Sequence, residues 1–347
     1  MRAINWKNQP VLITGATGLL GSHLVRRLLE LGANVVALVR DTVPRSLYFH
    51  PSPEWNCSAR AVTVYGCLED FALLNRALNE YEIETVFHVG AQTIVGVANS
   101  GPLSTFSANI QGTWNLLEAV RLNQRRVRRV VVASSDKAYG NLHGDSYDET
   151  FPLRGEHPYD VSKSCADLLA QSYFKSYQTP VAITRCGNFF GPGDLNFNRL
   201  IPGTILSACQ NESPVIRSNG TFIRDYLYVE DAVAAYLTLA SAMQHDPEKK
   251  GTLLAGEAFN FSYGFRLSVL EVVERVLSLM QKSDLKPQIQ NSATNEIPIQ
   301  TLSNAKARTI LDWNPAIGFE EGLRRTIAWY VSHFAERKIQ LEHVPKR

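Results

Sequence analysis

The sequence predicts an α/β protein built on a doubly wound parallel sheet. Three observations lead there. The chain opens with an apolar strand, Val11 to Thr14, a glycine-rich turn from Gly15 to Gly21, and a helical pattern through Leu24, Val25, Leu28 and Leu29. Apolar, strand-like runs then recur near 35–39, 61–65, 85–89, 129–133 and 181–185, with helical patterns between them. After Gly191 the alternation stops, and loops rich in Gly, Pro and Asn (191–204 and 213–224) interrupt the helices. Alternating β and α segments cover a parallel sheet on both faces, so its strands read as continuous apolar runs.

The first unit is strand, glycine turn, helix, strand. That is the context in which a Rossmann-type dinucleotide fingerprint is credible. Glycines let the backbone approach a pyrophosphate, and the free amides at a helix start favour its charge. The competing reading is an ordinary glycine turn; the flanking pattern favours a cofactor. The second strand ends at Arg40-Asp41. An acid there binds the ribose of NAD, whereas a basic residue accommodates the phosphate of NADP, and this chain offers both.

The fifth strand runs into Ser134-Ser135-Asp136-Lys137-Ala138-Tyr139-Gly140, and Tyr159-Asp160-Val161-Ser162-Lys163 follows. In Tyr-x-x-x-Lys the two side chains share a helical face. A nearby ammonium is expected to lower the tyrosine pKa from about 10 and make a base for a hydroxyl proton. Alone, the motif equally describes a solvated helix face. The hydroxyl-rich segment and the glycine turn turn the balance toward chemistry.

Composition excludes several classes. The 347 residues suffice for one large α/β domain, or a large domain plus a small one. An apolar fraction of 45% and a net charge of +2 suit a globular protein without a polyanionic partner, so neither nucleic acid nor another anionic polymer is expected. Arg125-Arg126-Val127-Arg128-Arg129 reads as a solvated turn before a strand. No run of about 20 apolar residues suggests a membrane span, and the N-terminus has no signal-peptide core. Five cysteines (57, 67, 165, 186 and 209) lack metal-ligand spacing and read as reduced thiols of a cytoplasmic protein.

The Gly-x-x-Gly-x-x-Gly spacing, with Ser135, Tyr159 and Lys163, resembles the extended short-chain dehydrogenase/reductases, and within them the NAD-dependent epimerase/dehydratase family acting on nucleotide sugars. The resemblance runs over nearly the whole chain. It includes His88-Val89-Gly90-Ala91-Gln92, Asn109-Ile110-Gln111-Gly112-Thr113, Arg185 to Gly193, Arg224 to Ala232, and Leu311-Asp312-Trp313-Asn314-Pro315. It implies a smaller, mixed C-terminal substrate domain: residues 1–190 bind the dinucleotide, 191–347 bind substrate, and part of 225–262 returns to the core.

It also implies roles. Gly15, Thr17, Gly18, Leu19, Gly21, Arg40, Asp41, Leu68, Gly90 and Ala91 would contact the cofactor. Cys67 stands where an adenine-binding aspartate is usual. Tyr159 would take the C4 hydroxyl proton of a nucleotide sugar while Ser135 hydrogen-bonds that hydroxyl. Lys163 would lower the tyrosine pKa and bind the nicotinamide ribose. Gln92, Asn188, Arg199 and Arg224 would hold the substrate, the arginines at its diphosphate; structural pairing of Arg199 or Arg224 is the alternative.

Asp136 matches the acid of 4,6-dehydratases. Lys137 replaces the glutamate usual in dTDP-glucose dehydratases and makes the pair resemble CDP-glucose 4,6-dehydratases; a lysine at about pKa 10.4 is protonated at neutral pH unless perturbed. A 4,6-dehydratase is therefore expected, with a 4-epimerase as the alternative and a non-catalytic NAD(P)-sensing protein ranked below both. NAD is the expected cofactor because the hydride returns within one turnover, with NADP left open. A homodimer is expected, pairing the helix around 109–122 with that from Tyr159 to Tyr173. Leu116, Leu117, Val120, Leu168 and Leu169 would form the seam or face the sheet.

Overall fold

The computed structural model describes residues 4–141, 146–246, 251–292 and 297–336. Residues 1–3 and 337–347 of the expected domains, with 142–145, 247–250 and 293–296, lie outside them.

The first half runs β1 (Pro10–Thr14), α1 (Leu19–Glu30), β2 (Asn34–Val39), β3 (Val62–Tyr65), α2 (Phe71–Glu80) and β4 (Thr85–His88). Short helices α3 (Val95–Ser100) and α4 (Pro102–Phe106) lead through a π-helical turn, Ser107–Gln111, into α5 (Gly112–Leu122). Then come β5 (Arg129–Ala133), a 3-10 turn at Asp136–Tyr139, α6 (Pro158–Tyr177) and β6 (Val181–Cys186). The second half holds β7 (Asn188–Phe190), α7 (Leu200–Cys209), β8 (Val215–Ile216), β9 (Ile223–Arg224), β10 (Tyr226–Tyr228), α8 (Val229–Ala242), β11 (His245–Asp246), β12 (Gly251–Thr252) and β13 (Ala258–Phe261). It closes with β14 (Leu267–Ser268), α9 (Val269–Leu279), β15 (Gln288–Ile289), β16 (Ile299–Gln300), α10 (Ala305–Leu311) and α11 (Phe319–Glu336).

Seven strands form one sheet in the order β13-β6-β5-β4-β1-β2-β3, and every pairing is parallel. Strand order reverses between β1 and β4, where open sheets of this kind hold their ligands, beyond the carboxyl ends of the strands. The six strands expected from apolar runs appear within a residue of those bounds. The seventh, β13, escaped because Asn260 interrupts its apolar run.

Successive residues of each strand feed opposite cores. Val11, Ile13, Val35, Ala37 and Val39 pack with Leu20, Leu24, Val25 and Leu28 of α1 and with α8. Leu12, Val36, Leu38 and Val64 pack with Leu74 and Leu78 of α2 and with α5. Each such leucine contributes about 1.5–3 kcal/mol by leaving water. Leu116, Leu117 and Val120 are fully buried against this second face, and Leu169 packs on it, so they are sheet-facing and not a subunit seam. Leu168 alone of the expected five is exposed.

The irregular-looking second half is more ordered than its sequence suggests. Segment 213–224 contains β8 and β9; β8 pairs with β15, and β9 lies between antiparallel β14 and parallel β16. Pro202 sits in the first turn of α7, where its missing N–H costs no helical hydrogen bond. Ser268 and Glu271 cap α9 reciprocally. Among the described residues no helix is long and apolar enough to cross a membrane, and no cluster of metal-ligating side chains occurs.

Candidate active site

The glycine turn leaves β1 at the strand-order reversal. Gly15 has φ +72°, and a Cβ there would lie 2.6 Å from the Gly90 Cα, so only glycine lets the ends of β1 and β4 touch. A Cβ on Gly21 would lie 2.0 Å from the Gly15 carbonyl oxygen. Gly18 starts α1 without any side-chain cap, which leaves first-turn amides open beside Thr17 and Leu19. Uncapped amides and close-packed glycines fit a diphosphate. Ala91 follows Gly90 at the end of β4. Arg40 and Asp41 pair with each other at 2.6 Å on the exposed end of β2. Leu68 packs on Gly112, and its carbonyl accepts from Asn115 at 3.2 Å. Cys67 is exposed. The donor set fits a dinucleotide.

Ser135, Asp136 and Lys137 turn off the end of β5. Ser135 caps the 3-10 turn: its Oγ accepts from the Lys137 amide at 3.2 Å and donates to Asp136 Oδ1 at 2.8 Å. Asp136 Oδ1 also accepts from the Lys137 amide at 2.8 Å, whereas its buried Oδ2 has no protein partner. Burial raises the Asp136 pKa against the opposing pull of Lys137, Ser135 and Arg224. The Lys137 charge also acts on Asp160, whose pKa burial raises.

Pro158 at the first turn of α6 sets the helix that carries Tyr159 and Lys163. The expected depression of the tyrosine pKa does not occur. Burial, reinforced by Asp136, pushes Tyr159 up to about 12, against the stabilising effects of Ser135 and Arg199. Lys163 donates from Nζ to the Ala133 carbonyl at 2.8 Å, and burial lowers its own pKa to about 8. Its ammonium is held by the end of β5.

The expected substrate residues have distinct environments. Gln92 folds onto its own loop, its amide bonding both backbone groups of Ile94. Asn188 is exposed and donates to the Asp225 carbonyl at 3.3 Å. Arg199, at the start of α7, pairs with Asp194 at 3.0 Å and reaches Thr93 at 3.3 Å, joining the second half of the chain to the end of β4. Arg224 is buried and donates Nη1 to the Ile297 carbonyl at 2.6 Å, beside Asp136. Asp231 binds the Ala316 and Ile317 amides and the Tyr263 hydroxyl.

Sequence reasoning passed over the supports of this site. Arg185 joins Asp167 of α6 and the Tyr139 hydroxyl, which in turn donates to Asn260 of β13. Asp225 lies buried near Asp136; burial raises its pKa to about 7, and its Oδ1 has no partner. Asn109 bonds both backbone groups of Gln92 and the Ser162 hydroxyl. Arg185, Asp225 and Asn109 lie within sequence motifs, but a motif does not reveal which side chains turn inward.

Comparison with known proteins agrees with this fold. A sequence model of the GDP-mannose 4,6 dehydratase family matches residues 12–326. The CDP-glucose 4,6-dehydratase of Salmonella typhimurium is 31% identical over 339 residues, 94% of this chain and 91% of that protein. The crystal structure of DesIV, a dTDP-glucose 4,6-dehydratase from Streptomyces venezuelae with NAD and TYD bound, covers 94% of this chain and 98% of its own, with 26% identity and a TM-score of 0.82. An epimerase from Methanothermobacter thermautotrophicus superimposes equally well, at 27% identity, 96% coverage of both chains and a TM-score of 0.82. With the family pattern matched from the first strand into the last helix, the chain belongs to the GDP-mannose 4,6 dehydratase family.

Proposed function

We propose that this chain is an NAD-dependent nucleotide-sugar 4,6-dehydratase, converting an NDP-hexose of the CDP-glucose type into the NDP-4-keto-6-deoxyhexose. One observation carries the choice: beside Ser135 and Tyr159 lies a buried carboxyl, Asp136, whose Oδ2 has no protein partner and whose pKa is raised. Such a group can donate a proton to a departing hydroxyl. A 4-epimerase has no step for it.

In this reading Tyr159 takes the C4 hydroxyl proton, and Ser135 orients that hydroxyl. Bound NAD would accept hydride from C4 and later return it to C6. At Tyr159 the phenolate that burial opposes would be favoured by the charge of a bound oxidised nicotinamide. Lys163 and Asp41 would bind its ribose hydroxyls, and the Gly15–Gly21 turn its diphosphate. Lys137, as the neutral amine, would take the C5 proton and return one to C5, while Asp136 protonates the C6 hydroxyl, which leaves as water.

Proton balance then assigns Ser135 a second duty. At the end of a turnover Tyr159 holds the C4 hydroxyl proton and Asp136 is one proton short. Ser135 donates to Asp136 Oδ1 at 2.8 Å and acts on the Tyr159 phenol. It touches both groups and so offers a route by which that proton resets them.

Arg199 and Arg224 would hold the diphosphate within a substrate-binding part formed by 191–224 and the last third of the chain. A homodimer, seated on exposed Trp114 and Leu168 rather than on the sheet-facing leucines, completes the proposal, in a reducing cytoplasm that suits five free thiols.

The test is incubation with CDP-, UDP-, GDP- and dTDP-sugars followed by mass spectrometry. Loss of one water from a CDP- or other NDP-glucose supports the reading; an isomer of unchanged mass overturns it in favour of epimerisation. Denaturing the pure protein and assaying the released nucleotide tests the cofactor, and NADP in place of NAD would mean that Arg40 dominates over Asp41.

A further inference from the structure

A directed chain of buried hydrogen bonds joins the glycine turn to the helix that carries Tyr159, and His88 is its only imidazole link. The Gly90 amide donates to Thr14 Oγ1 at 2.9 Å. Thr14 Oγ1 and His88 Nδ1 are 2.9 Å apart, and His88 Nε2 and Thr113 Oγ1 are 3.1 Å apart. The Thr113 hydroxyl donates to the Asn109 carbonyl at 2.6 Å. The Asn109 amide donates to the Gln92 carbonyl and to Ser162 Oγ, both at 2.9 Å, and Ser162 donates to the Tyr159 carbonyl at 2.7 Å. Thr14, His88, Asn109, Thr113 and Ser162 are all buried.

The direction of this chain follows from counting protons. The Thr113 hydroxyl has one hydrogen, committed to Asn109, so Thr113 must accept from His88; Nε2 carries the proton. Thr14 accepts from the Gly90 amide, and among the described residues the one acceptor within reach of its own hydrogen is a bare Nδ1. A neutral imidazole protonated on Nε2 satisfies every member. An imidazolium would leave the buried Thr14 hydroxyl hydrogen without an acceptor. Burial, aided by the charge of Lys163, lowers the His88 pKa to about 3, in keeping with that neutral state.

We infer that His88 is a positioning residue: its neutral, Nε2-protonated ring holds the ends of β1 and β4 in register with the π-helical turn and with the first turn of α6. The two strand ends bear Gly15 and Gly90 of the cofactor cradle, and the first turn of α6 bears Tyr159. Hydride and proton transfer require these parts to keep a fixed separation, and a shift of about 1 Å costs on the order of a hundredfold in rate. The π-helical turn fits the role, since such turns often mark functional sites. The inference rests on Tyr159 and Lys163 being catalytic, but not on dehydration in preference to epimerisation.

Nitrogen NMR of the histidine-labelled full chain reads the tautomer directly. A neutral ring with its proton on Nε2, unchanged from pH 8 to pH 5, is expected; a proton on Nδ1, or titration near the ordinary value of about 6.5, overturns the inference. Calorimetry with NAD then compares His88→Phe, Thr113→Val and Thr113→Ser in the otherwise intact protein. Several-fold weaker binding is expected for the first two and near-normal binding for Thr113→Ser; equal affinity in all three overturns the inference. With CDP-glucose deuterated at C4, Thr113→Val should lose about ten- to a hundredfold in kcat with little change in KM, and its isotope effect should rise because hydride transfer has become slower. A fall in kcat that merely tracks the folded fraction, with the isotope effect unmoved, means that the network supports only stability. If the wild type does not turn over CDP-glucose, the substrate reading fails, while the tautomer and the NAD affinities still decide the role of His88.

Discussion

Arg185 of β6 and Asp167 of α6 meet in a buried two-point pair, Nε to Oδ2 at 2.8 Å and Nη2 to Oδ1 at 3.0 Å. The arginine also holds Tyr139, four residues after Ser135, at 2.9 Å. One guanidinium thus ties the helix of Tyr159 to the turn of Asp136. Removing one member of a buried pair leaves an uncompensated charge, at about 3–5 kcal/mol. Asp167→Ala should lower unfolding free energy by that order in urea titrations; a loss below about 1 kcal/mol would mean that water reaches Arg185.

Tyr159→Phe keeps the ring packed and removes the acid–base group. The variant should fold, bind NAD and turn over at least about a hundredfold more slowly, the scale of a general base. Near-normal turnover in a steady-state assay would exclude Tyr159 from proton transfer.

Asp136→Asn with Lys137→Ala separates oxidation from elimination. The double variant should still reduce bound NAD on adding the sugar nucleotide, seen as nicotinamide absorbance, but release no dehydrated product. Solvent deuterium should enter C5 with the wild type and much less with the variant. Unchanged product formation by the variant would sink the dehydratase reading.

Asp225 gives stability a pH dependence of defined sign. Its pKa is about 7 in the fold and about 3.9 when unfolded, so the native state holds the extra proton between these values. The stabilisation is complete below about pH 4 and is lost as pH rises to about 7, by roughly 1.4 kcal/mol per unit at most from this group. Asp225→Asn mimics the protonated form. Wild type minus variant in unfolding free energy should therefore fall across that window, and a flat difference would show that Asp225 stays ionised.

Trp114 and Leu168 expose 43% and 52% of their surface on neighbouring helices α5 and α6. If they seat a second copy, Trp114→Asp with Leu168→Asp should weaken the dimer at least about tenfold, as losing interface anchors does. Light scattering across micromolar concentrations decides; a wild type that is already monomeric refutes the dimer.

The strands and the glycine turn were legible because each is a local pattern. Continuous apolar runs mark strands buried on both faces, and the turn is written in consecutive residues. The electrostatics of Tyr159 were not legible, because four-residue spacing reports shared helical face but not where a lysine ammonium ends. Lys163 reaches the carbonyl of Ala133, 30 residues earlier. The seam failed similarly: Leu117 and Leu168 look alike in sequence, and only the sheet beneath α5 distinguishes them. Arg185 and His88 were visible as letters within motifs, while their partners lie 18 to 74 residues away.

Strand β13 joins β6 after a detour: Cys186, the last residue of β6, and Ala258, the first of β13, lie 258 − 186 = 72 residues apart. During synthesis, at about 5–20 residues per second, β6 waits roughly 4–14 s for its neighbour. For that interval Val181, Ala182 and Ile183 form the bare rim of a nearly finished sheet, and a bare rim invites another chain to pair with it. A ribosome that stalls before residue 258 would release a sticky fragment, and so would a truncated gene meant to isolate the nucleotide-binding half.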